Sequence, residues 1–236
     1  MKRTVILGSL ALLLLLTERS FAFGVSPSRS EMLLPTNDTV TLVVDNPSND
    51  LVGAKIEVTT REYDQDGVET NRPTDLFKVY PPMLVVPGKT TKAFRVKYVG
   101  PKDPKKAGSY RISVEEVKGE LQAQKIGRVG MQIDYIRTNR SNLFVVPKDA
   151  KSVLQLDKIQ RHGNKYEISF KSIGTGFFYA TDCSIVLVGP KTRIKLKTLE
   201  LDALSVPFTG DETRRIKIQL ADSSQVITAA EIKCEK

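Results

Sequence analysis

The chain has 236 residues, with 36 Lys and Arg against 27 Asp and Glu for a formal charge of +9; 40% of residues are hydrophobic, and there is no Trp, one His and two Cys. The one histidine, His162, reads as a turn residue, which argues against Ser-His-Asp and Cys-His catalysis, and two cysteines with that histidine do not close a zinc site without carboxylates that no spacing marks. The basic residues are scattered along strand-like segments instead of gathered in aromatic-studded blocks, which argues against nucleic-acid binding.

Taken in chain order, the first signal is an export signal. Lys2 and Arg3 precede an apolar stretch at 10–16, and Ser20 and Ala22 occupy the small-residue positions before a cleavage point. This pattern predicts a secretory signal over residues 1–22, removed after Ala22. A retained anchor needs about twenty unbroken apolar residues, and Glu18 and Arg19 interrupt the run too early. No later stretch reaches spanning length, so membrane insertion after cleavage is not expected. Losing three cations and one anion leaves a net charge of about +7, and the remaining length fits two β-sandwich domains of roughly 100 residues each.

Period-two alternation then dominates. Val40, Leu42 and Val44 alternate with polar neighbours until the turn cluster 46–50. Val52, Ala54, Ile56 and Val58 follow before Asp66-Gly67. Residues 84–86 lead to Pro87-Gly88, and Phe94, Val96 and Tyr98 alternate with Arg95 and Lys97. After the polar loop 100–108 come Tyr110, Ile112 and Val114, with Arg111, Ser113 and Glu115 on the opposite face. Val129, Met131, Ile133 and Tyr135 form a further apolar row, followed by a polar run at 137–142, then 143–146 and Pro147. Residues 148–152 read as a linker, since the proline interrupts a strand and the rest is polar.

The second domain, 153–236, repeats the pattern with Tyr166, Ile168 and Phe170, then Ile185 and Leu187, then Ile216, Ile218 and Leu220, with a closing strand at 226–234. His162 stands beside Gly163 and Asn164 and reads as a turn residue. Cys183 and Cys234 share strand parity with apolar neighbours, so both thiols point inward. In an exported chain a disulfide between them is the natural reading, with two buried free thiols as the alternative. No segment shows a sustained helical period, so the chain reads as all-β. Carboxylate chemistry is not marked by any pair of acids, no phosphate or dinucleotide loop occurs, and neither an enzyme nor a cofactor is expected.

Several landmarks, in order, resemble the periplasmic chaperones of the chaperone–usher pilus pathway, the PapD-like family. They are the start Val25-Ser26-Pro27-Ser28-Arg29, the strand and turn Val43-Val44-Asp45-Asn46-Pro47, and the run Tyr80-Pro81-Pro82-Met83-Leu84-Val85-Val86-Pro87-Gly88-Lys89. With them stand Arg95-Val96, the strand Tyr110-Arg111-Ile112-Ser113-Val114, and Arg140-Ser141-Asn142-Leu143-Phe144-Val145-Val146-Pro147. The resemblance covers most of residues 24–147, within a first domain that spans 23–147; the second domain is divergent.

The resemblance implies two immunoglobulin-like domains in an L or boomerang arrangement, a periplasmic location, and pilus subunits and an outer-membrane usher as partners. A subunit lacking its last strand exposes an apolar groove and unpaired backbone, and the chaperone lends it a strand. The donor row here would be Val129, Met131, Ile133 and Tyr135, which also offers a route to self-association. The family grips the subunit's C-terminal carboxylate between two cations, for which Arg29 fits the first. Where the family usually has lysine this chain has Asn142; Arg140, two residues earlier on the same strand face, is the nearest substitute, with Arg137 behind it. The competing role is structural: a pilus or surface subunit, or an adhesion module. The short segment before the first strand favours the chaperone, because a subunit would be expected to carry a donor extension there.

Overall fold

The computed structural model describes residues 23–117, 136–222 and 224–234. The expected period-two segments become strands, and in the first half they form two facing sheets. One has the order β1-β3-β9-β7, built from β1 (Gly24–Ser26), β3 (Thr39–Asn46), β9 (Thr90–Tyr98) and β7 (Phe77–Tyr80). The other has the order β2-β11-β10-β4-β8, built from β2 (Arg29–Leu33), β11 (Thr138–Val146), β10 (Gly108–Val117), β4 (Val52–Thr60) and β8 (Met83–Val86). Leu42, Val44, Ile56, Phe94, Val96, Ile112, Val114, Leu143 and Val145 fill the space between them. Each such aliphatic or aromatic side chain contributes roughly 1.5–3 kcal/mol on burial.

Two devices place the first strands. The chain leaves the β1 sheet after Ser26 and enters the other sheet at Arg29, where β2 runs parallel to β11. Ser141 Oγ donates to Pro27 O at 2.7 Å and Asn142 N donates to Ser28 O at 2.9 Å, which fixes that crossing. Asn46 is buried: its Nδ2 donates to Asp50 O at 2.8 Å and Val86 O at 3.0 Å, and its Oδ1 accepts from Ser48 Oγ at 2.7 Å. The Asn-Pro turn therefore ties the end of β3 to the end of β8. Gly88 is required beside it, since a Cβ there would lie 2.3 Å from Asn49 O.

The polar run at 137–142 is strand from Thr138 onward. The reason is position: β11 lies inside its sheet between β2 and β10, its odd residues Ser141, Leu143 and Val145 facing the core. Its even residues face the other way, towards the second half, where polar side chains are tolerated.

Between β4 and β7 a small hairpin, β5 (Glu62–Tyr63) with β6 (Glu69–Thr70), leaves the sandwich. The second half holds β12 (Ser152–His162), β13 (Lys165–Gly174) and β18 (Thr213–Gln219) in one sheet. A second sheet contains β16 (Thr192–Lys195), β15 (Cys183–Gly189) and β19 (Ala229–Cys234), and β14 (Phe177–Tyr179) pairs with β17 (Pro207–Thr209). Their separate core includes Tyr166, Ile168, Phe170, Ile185, Leu187, Leu204 and Phe208. One helical turn, α1 (Asp202–Ser205), interrupts the strands where none was expected; it buries Ala203 and Leu204. The closing strand starts at Ala229 rather than 226, because Thr228 N is already spent on Val188 O outside the ladder. His162 ends β12 at the Gly163 turn, as read from the sequence. Cys183 and Cys234 are direct partners across β15 and β19, with their sulfurs 1.98 Å apart; Cys183 is buried, but Cys234, on the edge strand, is exposed rather than inward as expected. Among the described residues no helix is long and apolar enough to cross a membrane.

Candidate carboxylate-binding cleft

The outward face of the β2-β11-β10-β4 sheet meets the second half at Phe144. Its ring stacks on Phe177 with centroids 4.0 Å apart and interplanar angle 6°, and meets Tyr179 edge-on at 6.2 Å. Ala107 N donates to Thr175 O at 2.7 Å on the same seam.

One row along that face from Phe144, the register sets Arg29, Asn142, Arg111 and Thr59 side by side on β2, β11, β10 and β4. Arg29 opens β2, and its guanidinium carbon lies 5.1–5.5 Å from the ring centres of Phe144, Phe177 and Tyr179. The three rings pack around the cation while its side chain stays 45% exposed. Nε and Nη2 both donate to Glu31 Oε1, at 3.2 and 2.7 Å.

Arg111 has the opposite surroundings. Its side chain is 14% exposed; Nη1 donates to Asn142 Oδ1 at 2.5 Å, and Nε donates to Glu69 Oε1 at 3.1 Å while Nη2 donates to Glu69 Oε2. Glu69 comes from β6 and also accepts from Arg61 Nε at 3.1 Å, Tyr63 Oη at 2.9 Å and Asn71 Nδ2 at 3.1 Å. Burial by itself would raise its pKa, but the hydrogen bonds from Arg111, Asn71, Tyr63 and Arg61 outweigh that and hold the carboxyl down at about 2. Burial pushes the Tyr63 phenol well above its ordinary range, so it stays a donor to Glu69.

The same hairpin reaches the second half. Asp66 accepts two hydrogen bonds from Arg215, at 3.0 and 2.7 Å, and Arg215 N donates to Gln65 O at 2.6 Å. Gly67 has φ +83°, and a Cβ there would come within 2.6 Å of the Ala203 backbone. Arg214, buried, lies 5.3 Å from the centre of the Tyr63 ring and 5.0 Å from that of Phe208, and donates to Glu212 at 2.8 Å.

Of the residues singled out from the sequence, Arg29 and Asn142 are thus adjacent in register. Arg140 shares Asn142's face but stands one row further from Phe144, opposite Ser113 and exposed. Arg137 precedes β11, 3.9 Å from Glu116. The row Val129, Met131, Ile133 and Tyr135 lies outside the described residues. Sequence reasoning missed Arg111 and Glu69. Arg111 was visible only as one of three outward residues on its strand, and nothing short of the cross-strand register says which of them neighbours Asn142.

Comparison with known families gives a match over residues 24–151, more than half of the chain, to the model described as pili and flagellar-assembly chaperone, PapD N-terminal domain. No curated protein matches. Among solved structures, the CsuC–CsuE chaperone–tip adhesion subunit pre-assembly complex from archaic Csu pili of Acinetobacter baumannii contains a similar chain. It has a TM-score of 0.57 and 15% identity, with 86% of this chain and 90% of that chain covered. The class 5 fimbriae chaperone CfaA is similar at TM-score 0.58 and 13% identity, over 91% of this chain and 99% of that one. The Escherichia coli chaperone DraB is similar at TM-score 0.53 and 18% identity, over 86% and 88%. At these identities the likeness concerns the fold.

Proposed function

The chain belongs to the pili and flagellar-assembly chaperone family, and from that premise we propose that it caps pilus subunits by lending them a strand and passes them to an outer-membrane usher. The family is one of binding proteins rather than enzymes. Its members work in the periplasm, and here residues 1–22 would be the signal that directs export. The division into 23–147, a linker at 148–152 and 153–236 belongs to the same proposal, as does a Cys183–Cys234 disulfide fixing the last strand, a bridge typically contributing about 2–4 kcal/mol.

The observation that carries the reading is the in-register row Arg29, Asn142, Arg111 at the aromatic seam between the two halves. A chain end entering this cleft would bring its carboxylate to the accessible guanidinium of Arg29, which can grip two oxygens at once. The strand that follows from the donor row Val129, Met131, Ile133 and Tyr135 is β11, so an anchored chain end would set the register in which those side chains meet the subunit's groove. Structural neighbours determined with their subunits, such as the CsuC–CsuE complex, support a subunit as partner.

The test is co-expression with a groove-bearing pilus subunit. A one-to-one soluble complex is expected, lost in Arg29→Ala while the free protein stays folded. Recovery of the chain as a stoichiometric part of the finished fibre would overturn the chaperone reading, and undiminished complex recovery with Arg29→Ala would remove the anchor.

A further inference from the structure

Asn142 stands where the family resemblance leads one to expect a cation, and its neighbours decide what its amide presents. Arg111 lies on one flank of Asn142 and Arg29 on the other. A guanidinium has only donors, so the Asn142 atom that meets Arg111 Nη1 must be the carbonyl oxygen, Oδ1. With that oxygen held by Arg111, Nδ2 is the atom of the amide left to donate, on a residue whose register neighbour on β2 is Arg29. Among the described residues Nδ2 has no acceptor. Arg111 itself has little freedom to turn to an incoming anion, because Nε and Nη2 are both engaged by Glu69.

We infer that the subunit's carboxylate is held by one guanidinium and one neutral amide: Arg29 on one side and Asn142 Nδ2 on the other, with Arg111 as the positioning residue that fixes the amide and Glu69 as the group that fixes Arg111. This rests on the carboxylate-anchor reading and refines it. Arg111 is tied to Glu69, which it shares with Arg61, so Arg29 is the cation left to contact the ligand directly once Glu31 is displaced from it. Glu31 is the weaker competitor, since its carboxylate is 39% exposed and uses one oxygen only. A grip with one direct ion pair depends less steeply on salt than one with two, because only one contact of opposite charges is screened. Its second contact selects by geometry, requiring an acceptor oxygen at the place the amide points to.

Titrating the folded, isotope-labelled protein with an N-acetylated tripeptide bearing a free C-terminus, and in parallel with its C-terminal amide, tests this by NMR. The expected result is that the Arg29 Nε–H signal and both Asn142 Nδ2 protons move with the free carboxylate and stay still with the amide. Movement at Arg29 alone would overturn the role of Asn142 and leave the anchor standing; movement at neither would overturn both. In Asn142→Asp the amide donor is gone and a carboxylate faces the ligand, so binding of the free-carboxylate peptide should weaken by more than about tenfold; unchanged binding would sink the inference. The positioning role has its own readout: in Arg111→Gln the Asn142 amide signals of the free protein should shift towards those of an unrestrained side chain, with Arg111→Lys restoring them in part. Asn142 signals indifferent to Arg111→Gln would remove that role.

Discussion

Arg29 and Arg111 flank the same asparagine and occupy opposite environments. At the open side of the cleft, Arg29 rests on three aromatic rings and shares its charge with an exposed glutamate. At the closed side, Arg111 is gripped by a carboxylate that three further donors hold in place. Exposed pairs are worth little and exchange partners readily, whereas breaking a half-buried pair strands a charge away from water. One residue type thus stays accessible in one place, where the proposed reading gives it recognition, and serves architecture a strand or two away, and burial decides which.

Substitutions can break this contrast. The largest effect on folding is expected from Arg111→Ala, which leaves Glu69 desolvated with fewer donors: a loss of about 2–4 kcal/mol in urea unfolding. A loss under about 0.5 kcal/mol would place Arg111 in the same class as Arg29. Next is acid. The folded pKa of Glu69 lies below its ordinary value of 4.5, so its contribution is complete above that value and is lost as pH falls towards about 2. Stability measured across that window should fall less steeply in Glu69→Gln than in the parent protein, and an identical slope would show that Glu69 is not held as described. Arg29→Ala should cost about 1 kcal/mol or less in unfolding, from lost ring contacts, while abolishing subunit capture. The smallest effect belongs to Glu31→Gln, with stability unchanged within about 0.5 kcal/mol and carboxylate-peptide binding equal or a few-fold tighter. Weaker binding would mean that Glu31 orients Arg29 instead of competing for it.

Much of the fold was legible because one face of nearly every strand is buried. The parity of Leu42 and Val44, or of Ile112 and Val114, announces strand and core face together. The polar run at 137–142 carries no alternation because the residues on its core-facing parity, Asn139 and Ser141, are polar too and are satisfied by Phe23 O and Pro27 O. The turn α1 escaped notice because four residues are too few to show a period. Of the site, Arg29 and Asn142 were named from their place in ordered motifs, and they are adjacent in register. Arg111 and Glu69 stand 42 residues apart in the chain, and their meeting depends on a hairpin whose strands are two residues long. Neither propensity nor spacing encodes such a contact; it is a product of tertiary register.

That hairpin has one further consequence. Asp66, at its tip, is bound to Arg215 of the second half, and Glu69, three residues on, is bound to Arg111. The angle between the halves and the orientation of the Asn142 amide are therefore mechanically linked through a few peptide units. Linkage of this kind is reciprocal: on the proposed reading, whatever fixes the angle would prepare the cleft for a chain end, and a captured chain end would in turn resist rotation of the halves. A change in the Asn142 amide signals on Asp66→Asn, remote from the cleft, is the sign by which that transmission would be read.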